Sequence, residues 1–69
     1  MVDTFCLPLV NFYECGKTPE RILLNKFVIY KVIDEFDDYY VVELPDFDFD
    51  ANVSKKDEGR MFVILKGDG

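Results

Sequence analysis

Two blocks of β-branched and aromatic residues, Lys26 to Glu35 (KFVIYKVIDE) and Tyr39 to Leu44 (YYVVEL), stand only three residues apart in this chain. Blocks of this kind read as strands, and the intervening Phe36-Asp37-Asp38 is short enough for a tight turn, so the fold is expected to be organised around an antiparallel hairpin. A turn centred on Asp37-Asp38 lacks the glycine of the favoured two-residue types. The register is therefore open by one residue, and a slip of one residue exchanges the faces of both strands. Neighbours on a strand point to opposite sides, so one of Tyr39 and Tyr40 belongs to the core, and the other joins Phe36 in a surface aromatic patch.

The rest of the chain supports a small sheet around that hairpin. Phe5 to Tyr13 (FCLPLVNFY) is rich in strand formers, but Pro8 has no amide hydrogen for a ladder and predicts an edge strand or a bulge. Thr18-Pro19-Glu20 has the order of a helix start, which predicts a short helix from Pro19 to about Asn25. Leu44-Pro45 ends the second strand, a polar loop runs to Gly59, and Arg60 to Lys66 (RMFVILK) forms a compact last strand before a Gly67-Asp68-Gly69 tail. The expected fold is mostly β (α+β), a small antiparallel sheet of about four strands with one short helix, forming a single domain over residues 1–69. Its hairpin and final strand resemble the small SH3-like barrels in architecture, which implies a partly open barrel as the alternative to a plain sheet.

A chain of 69 residues buries only about 60% of the surface its unfolded form exposes, leaving room for one thin core and no deep enclosed active site. Apolar residues make up 49%, too many for a disordered chain. There is no histidine, which removes the commonest general base and the usual partner of a nucleophilic serine or cysteine. The expectation is a non-enzymatic protein with no catalytic residues and no cofactor. Cys6 and Cys15 are expected to be reduced thiols. The acidic start Met1-Val2-Asp3-Thr4 and the interruption of the following apolar stretch by Pro8 do not read as a signal peptide, and no apolar run has the length of a membrane span. A cytoplasmic location with no membrane partner is expected.

Charge is distributed unevenly. The formal charge is −6, yet the segment from Asp34 to Asp50 alone carries −8, because it holds Asp34, Glu35, Asp37, Asp38, Glu43, Asp46, Asp48 and Asp50 and no lysine or arginine. The remaining residues carry +2. Such a block serves solubility and guards strand edges against aggregation. It also suits binding. If Asp46-Phe47-Asp48-Phe49-Asp50 is extended, three carboxylates line one side at a spacing of about 6.6 Å, twice the strand rise, with two phenylalanines on the other. Together with the acids of the hairpin they would form a ridge of negative charge resembling a phosphate backbone. Proteins that bind nucleic acid do so largely through lysine and arginine contacts to phosphate, so such a ridge could occupy those contacts, while direct nucleic-acid binding by this chain is disfavoured.

In size, acidity and clustering of acids over Asp34 to Asp50, the chain resembles small phage-encoded host-takeover proteins that mimic DNA, including inhibitors of the histone-like HU nucleoid proteins. The resemblance implies an inhibitor in the host-cell cytoplasm whose eight acids cover the DNA-binding surface of a basic host protein, with an HU-like nucleoid protein as the first partner to consider. The alternative is a small scaffold or assembly protein whose acids confer solubility and which associates through apolar surface such as Phe47, Phe49 or an unpaired edge near Pro8. A calcium loop is a further pattern, since Asp46, Asp48, Asp50, Asn52 and Asp57 fall at positions 1, 3, 5, 7 and 12 of a loop. Ala51 replaces the glycine of the sharp turn, Asp57 replaces the bidentate glutamate, and Pro45 precludes an entering helix, so no metal site is assigned.

Overall fold

The computed structural model describes residues 2–14 and 21–68. It is a mostly β fold with seven strands: β1 (Val2–Pro8), β2 (Phe12–Tyr13), β3 (Ile22–Leu24), β4 (Tyr30–Glu35), β5 (Tyr39–Val42), β6 (Ala51–Ser54) and β7 (Phe62–Asp68). One 3-10 turn, Lys55–Asp57, lies between the last two strands. Five strands form an antiparallel sheet in the order β6-β5-β4-β1-β7, and β2 and β3 form a separate antiparallel pair. Seven residues link the two edge strands β6 and β7, and Val53 from one edge shares a core with Phe62 from the other. The sheet is thus curled in the manner of a partly open barrel, without closing into one.

The expected hairpin is β4–β5, turning at Asp37-Asp38, with Glu35 opposite Tyr40. Neither aspartate has a positive φ, so the turn is not of the left-handed kind that matches strand twist. The mismatch is taken up in β4: Val32 pairs with Val42 but Asp34 pairs with Val41, leaving Ile33 as a bulged extra residue. Before the bulge Tyr30 and Val32 face inward; after it Glu35 lies beside the inward Tyr40. This bulge is the reason the hairpin faces could not be read from alternation alone.

Three expectations need correction. First, β1 is a central strand and not an edge, flanked by β4 and β7. Pro8 is tolerated because it is the last residue of the strand: Leu9 N–H bonds the Met61 carbonyl at 2.8 Å, so alternation turns position 8 away from β7, at a point beyond the end of the β4 ladder. The chain then bends at residues 9–11, and β2 is a separate strand. Second, of the predicted helix from Pro19 to about Asn25, Pro19 and Glu20 lie outside the described residues, as does Cys15, while Ile22–Leu24 is strand β3. An isolated turn of helix is a weak competitor. The extended form pairs the backbone with β2, puts Leu24 into the core, and is tied by Arg21 Nε donating to Glu14 Oε1 at 2.9 Å. Third, the polar stretch from Pro45 to Gly59 is not all loop, because Ala51–Ser54 forms β6 against β5. Alanine, asparagine and serine are weak strand formers, which hid it.

The core is Cys6, Leu24, Tyr30, Tyr40, Val42, Leu44, Ala51, Val53 and Phe62. Phe62 is its centre: Tyr40 meets it edge-on at 6.2 Å between ring centroids, and Phe12 of the small sheet approaches at 6.3 Å. Gly59 makes the return into β7 with a φ of +88°, and its N–H bonds the Phe62 carbonyl. A left-handed residue is required there and glycine takes it without a Cβ penalty.

Candidate functional site

All eight acids of the Asp34 to Asp50 segment are exposed. They do not form one ridge. Asp34, Glu35, Asp37 and Asp38 lie on and beside the β4–β5 turn, whereas Glu43, Asp46, Asp48 and Asp50 lie in the β5–β6 connection at the other end of β5. Between Asp38 and Glu43 runs an extended strand, a separation of about 17 Å along the backbone.

At the hairpin end the acids are drawn into packing. The Glu35 carboxylate accepts from Lys55 Nζ at 2.8 Å, and that ammonium lies 5.0 Å from the centre of the Tyr40 ring. The hydrogen bond from Lys55 is the main reason the Glu35 carboxyl is held below its ordinary pKa. Tyr40 donates its hydroxyl hydrogen to Glu58 Oε1 at 2.8 Å. Burial, then the Glu58 carboxylate, push its pKa up to about 12. Asp34 is also used locally, its Oδ1 accepting from the Glu35 N–H at 2.8 Å. Only Asp37 and Asp38 project from this end without such ties, beside the surface pair Phe36 and Tyr39, whose rings stack at 4.8 Å. The two tyrosines thus divide as alternation requires, Tyr40 inward and Tyr39 outward.

At the other end the carboxylates face solvent, but the backbone is not the extended ribbon expected for Asp46 to Asp50. Residues 45–49 form turns and bends, beginning with a turn in which Phe47 N–H bonds the Leu44 carbonyl at 3.1 Å. Pro45 and Asp46 suit the centre of that turn, and Phe47 folds back onto the core. Phe49 packs its ring 5.2 Å from that of Phe47, and the Arg21 guanidinium covers Phe47 at 5.0 Å. The even strand spacing of Asp46, Asp48 and Asp50 is therefore lost, while their exposure is kept. Of the apolar surfaces suggested by the sequence, Phe47 and Pro8 are withdrawn from solvent and Phe49 remains.

The fold also brings cations to acids that the sequence keeps apart. Lys55 reaches Glu35, and Lys31 shares with Glu43, Asp46 and Pro45 a groove of about 280 Å³ walled by Val28 and Ile29. The residues of the calcium-like pattern are divided among a turn region, β6 and the 3-10 turn, and among the described residues no three acidic or thiol groups converge to hold a metal ion. Cys6 is buried as a free thiol, with its pKa pushed up by burial to about 11, so it is unreactive near neutrality. Among the described residues no helix is long and apolar enough to cross a membrane.

One feature had no signal in the sequence. Phe27 has a φ of +64°, a left-handed backbone that is rare for a bulky residue, and its ring is 64% exposed. The conformation is held by Phe27 N–H bonding the Pro8 carbonyl at 2.9 Å and Lys26 N–H bonding Asn11 Oδ1 at 2.7 Å. Comparison with protein-family models, curated proteins and solved structures finds no match for the chain.

Proposed function

We propose that the chain is a non-enzymatic binding protein of the cytoplasm that occupies the basic, nucleic-acid-binding surface of another protein. Supporting this reading is the exposure of all eight carboxylates from Asp34 to Asp50, of which Glu35 alone makes an ion pair among the described residues. The β5–β6 connection carries the principal contacts, because Asp46, Asp48 and Asp50 face solvent and make no ion pair among the described residues. Asp37 and Asp38 at the hairpin tip form a second point of contact, and a partner engaging both presents basic groups one strand length, roughly 17 Å, apart. Phe36, Tyr39 and Phe49 lie beside the two acidic groups as apolar anchors, the residue type that dominates interface energetics.

The test is competition. An HU-like nucleoid protein, as a basic DNA-binding partner, is titrated with this protein in the presence and absence of duplex DNA. Mutual exclusion of DNA and this protein is expected, and formation of a ternary complex would overturn mimicry of nucleic acid.

A further inference from the structure

The outer face of the β1, β4 and β7 part of the sheet is largely apolar, with Phe5, Leu7 and Val63 half-buried and Ile29 and Leu65 exposed. Cys6, Tyr30 and Phe62 are buried on the inner side, so their neighbours point outward. The register fixes how those neighbours are arranged. Phe5 sits between Lys31 of β4 and Leu65 of β7. One row away, Leu7 lies between Val63 and, continuing the same register by one residue, Ile29. In the row on the other side Asp3 is paired with Gly67.

This composition is unusual for a solvated face. Antiparallel strands with one wet face alternate apolar and polar residues, whereas Phe5-Cys6-Leu7-Pro8 and Phe62 to Leu65 are unbroken apolar runs, the pattern of strands covered on both sides. The β2–β3 pair supplies Phe12 and Leu24 to the inner side. On the outer side Ile29 is 59% exposed and Leu65 40%. Phe27, held in its left-handed conformation by the Pro8 carbonyl next to Leu7, lies at the edge of this region with the Lys26 ammonium 4.9 Å from the centre of its exposed ring.

We propose that this face is a dimer interface, covered by a second copy of the chain across a two-fold axis. A two-fold contact requires a self-complementary patch, and the grid provides one. An axis through Phe5 and along the diagonal of the grid sets Phe5 on Phe5 of the second copy, Leu65 on its Leu7, Lys31 on its Asp3, and Ile29 over its Gly67. A Cβ at Gly67 would meet nothing within 4 Å, so there is open space above it. The strands of the two sheets then cross steeply, as in orthogonal sheet packing. Charge suits this face to a second copy of a chain that carries −6: Lys31 and Asp3 offset one another within the patch, Glu43 and Asp46 border it where they share a groove with Ile29 and Lys31, and Asp37, Asp38, Asp48 and Asp50 sit beyond either end of β5. Within the patch itself Asp3 is the one carboxylate, so the interface meets the acidic groups only at the groove of Glu43 and Asp46 and does not depend on the function proposed for them. A core this small, with Cys6 unbridged, is also of the kind that oligomerisation commonly supplements.

Sedimentation equilibrium of the full chain tests the proposal. The expected mass rises from 8.1 kDa at low micromolar concentration to twice that value at high concentration; a single-chain mass throughout would overturn it. Leu65→Asp and Ile29→Asp should each weaken the dimer about tenfold or more, with unchanged tyrosine circular dichroism showing that the fold is kept. Dimerisation equal to the parent chain would overturn the face. Lys31→Glu and Asp3→Lys should each weaken association and together restore it, and failure of the pair to restore it would overturn the two-fold arrangement. On the unaltered chain, amides of β1 and β7 should exchange more slowly in concentrated than in dilute solution. Equal exchange would count against the face even if a substituted chain failed to fold.

Discussion

The two ends of β5 carry acids at similar density, but they do different physical work. At the hairpin end Glu35 is fastened to Lys55, Lys55 lies against Tyr40, and Tyr40 is fastened to Glu58. Those carboxylates hold Lys55 and the Tyr40 hydroxyl, and the Tyr40 ring packs edge-on against the core residue Phe62. At the other end Asp46, Asp48 and Asp50 ride on a turn region anchored from beneath by Phe47, with their charges directed into water. Acidic density in sequence therefore has two outcomes in this molecule, drawn into packing at one end and left in solvent at the other.

The contrast breaks most severely at Tyr40. Tyr40→Ala removes the ring that meets Phe62 edge-on and carries Lys55, and should cost about 3–5 kcal/mol, read from the midpoint of urea unfolding. The same truncation at the exposed Phe49 should cost much less. Tyr40→Phe keeps the ring and loses the hydroxyl donated to Glu58, for an expected loss of about 1 kcal/mol. The pH dependence has a definite sign. Because the folded-state pKa of Tyr40 is raised to about 12 from 10.0, its contribution is fully present below the unfolded value and is lost as pH rises through the folded one. The parent chain should lose stability across that alkaline window, and Tyr40→Phe should lose less.

Glu35→Gln sharpens the comparison at smaller scale. The Glu35 pKa is lowered, so its contribution is present above the ordinary carboxylate range and is lost as pH falls through the depressed value. An acid titration of the parent should show a loss of stability that is reduced in Glu35→Gln. Because the Glu35 side chain is 52% exposed, salt should diminish the difference between the two chains. The smallest effect on folding belongs to Asp46→Asn, Asp48→Asn and Asp50→Asn, each expected within about 0.5 kcal/mol of the parent because these side chains touch little.

The strand content was legible where β-branched and aromatic residues run together, which is why β4, β5 and β7 were anticipated, although β4 begins only at Tyr30 because Lys26 to Ile29 forms a turn and its exit, and β7 runs on through Gly67 and Asp68 of the expected tail. β6 was not, since Ala51, Asn52 and Ser54 form a strand only because β5 offers a ladder and the core accepts Ala51 and Val53. β3 reads locally as the continuation of a helix start and becomes a strand through its pairing with β2, a tertiary choice that residue order does not disclose. For the candidate site, the membership and exposure of the acids were legible from charge alone. Their division into two groups was not, because it depends on the Ile33 bulge, on the turn at Pro45-Asp46, and on Lys55 arriving from a distant part of the chain.

The most direct measurement is the salt dependence of affinity for a basic DNA-binding protein, compared between the parent chain and the combined Asp46→Asn, Asp48→Asn, Asp50→Asn variant. Exposed charge contacts are screened by ions, so the parent's affinity should fall steeply between about 50 and 200 mM salt, while the folded variant should bind weakly at every concentration with little salt response. Binding by the variant at parental strength and with parental salt sensitivity would contradict the assignment of the β5–β6 acids as the binding surface.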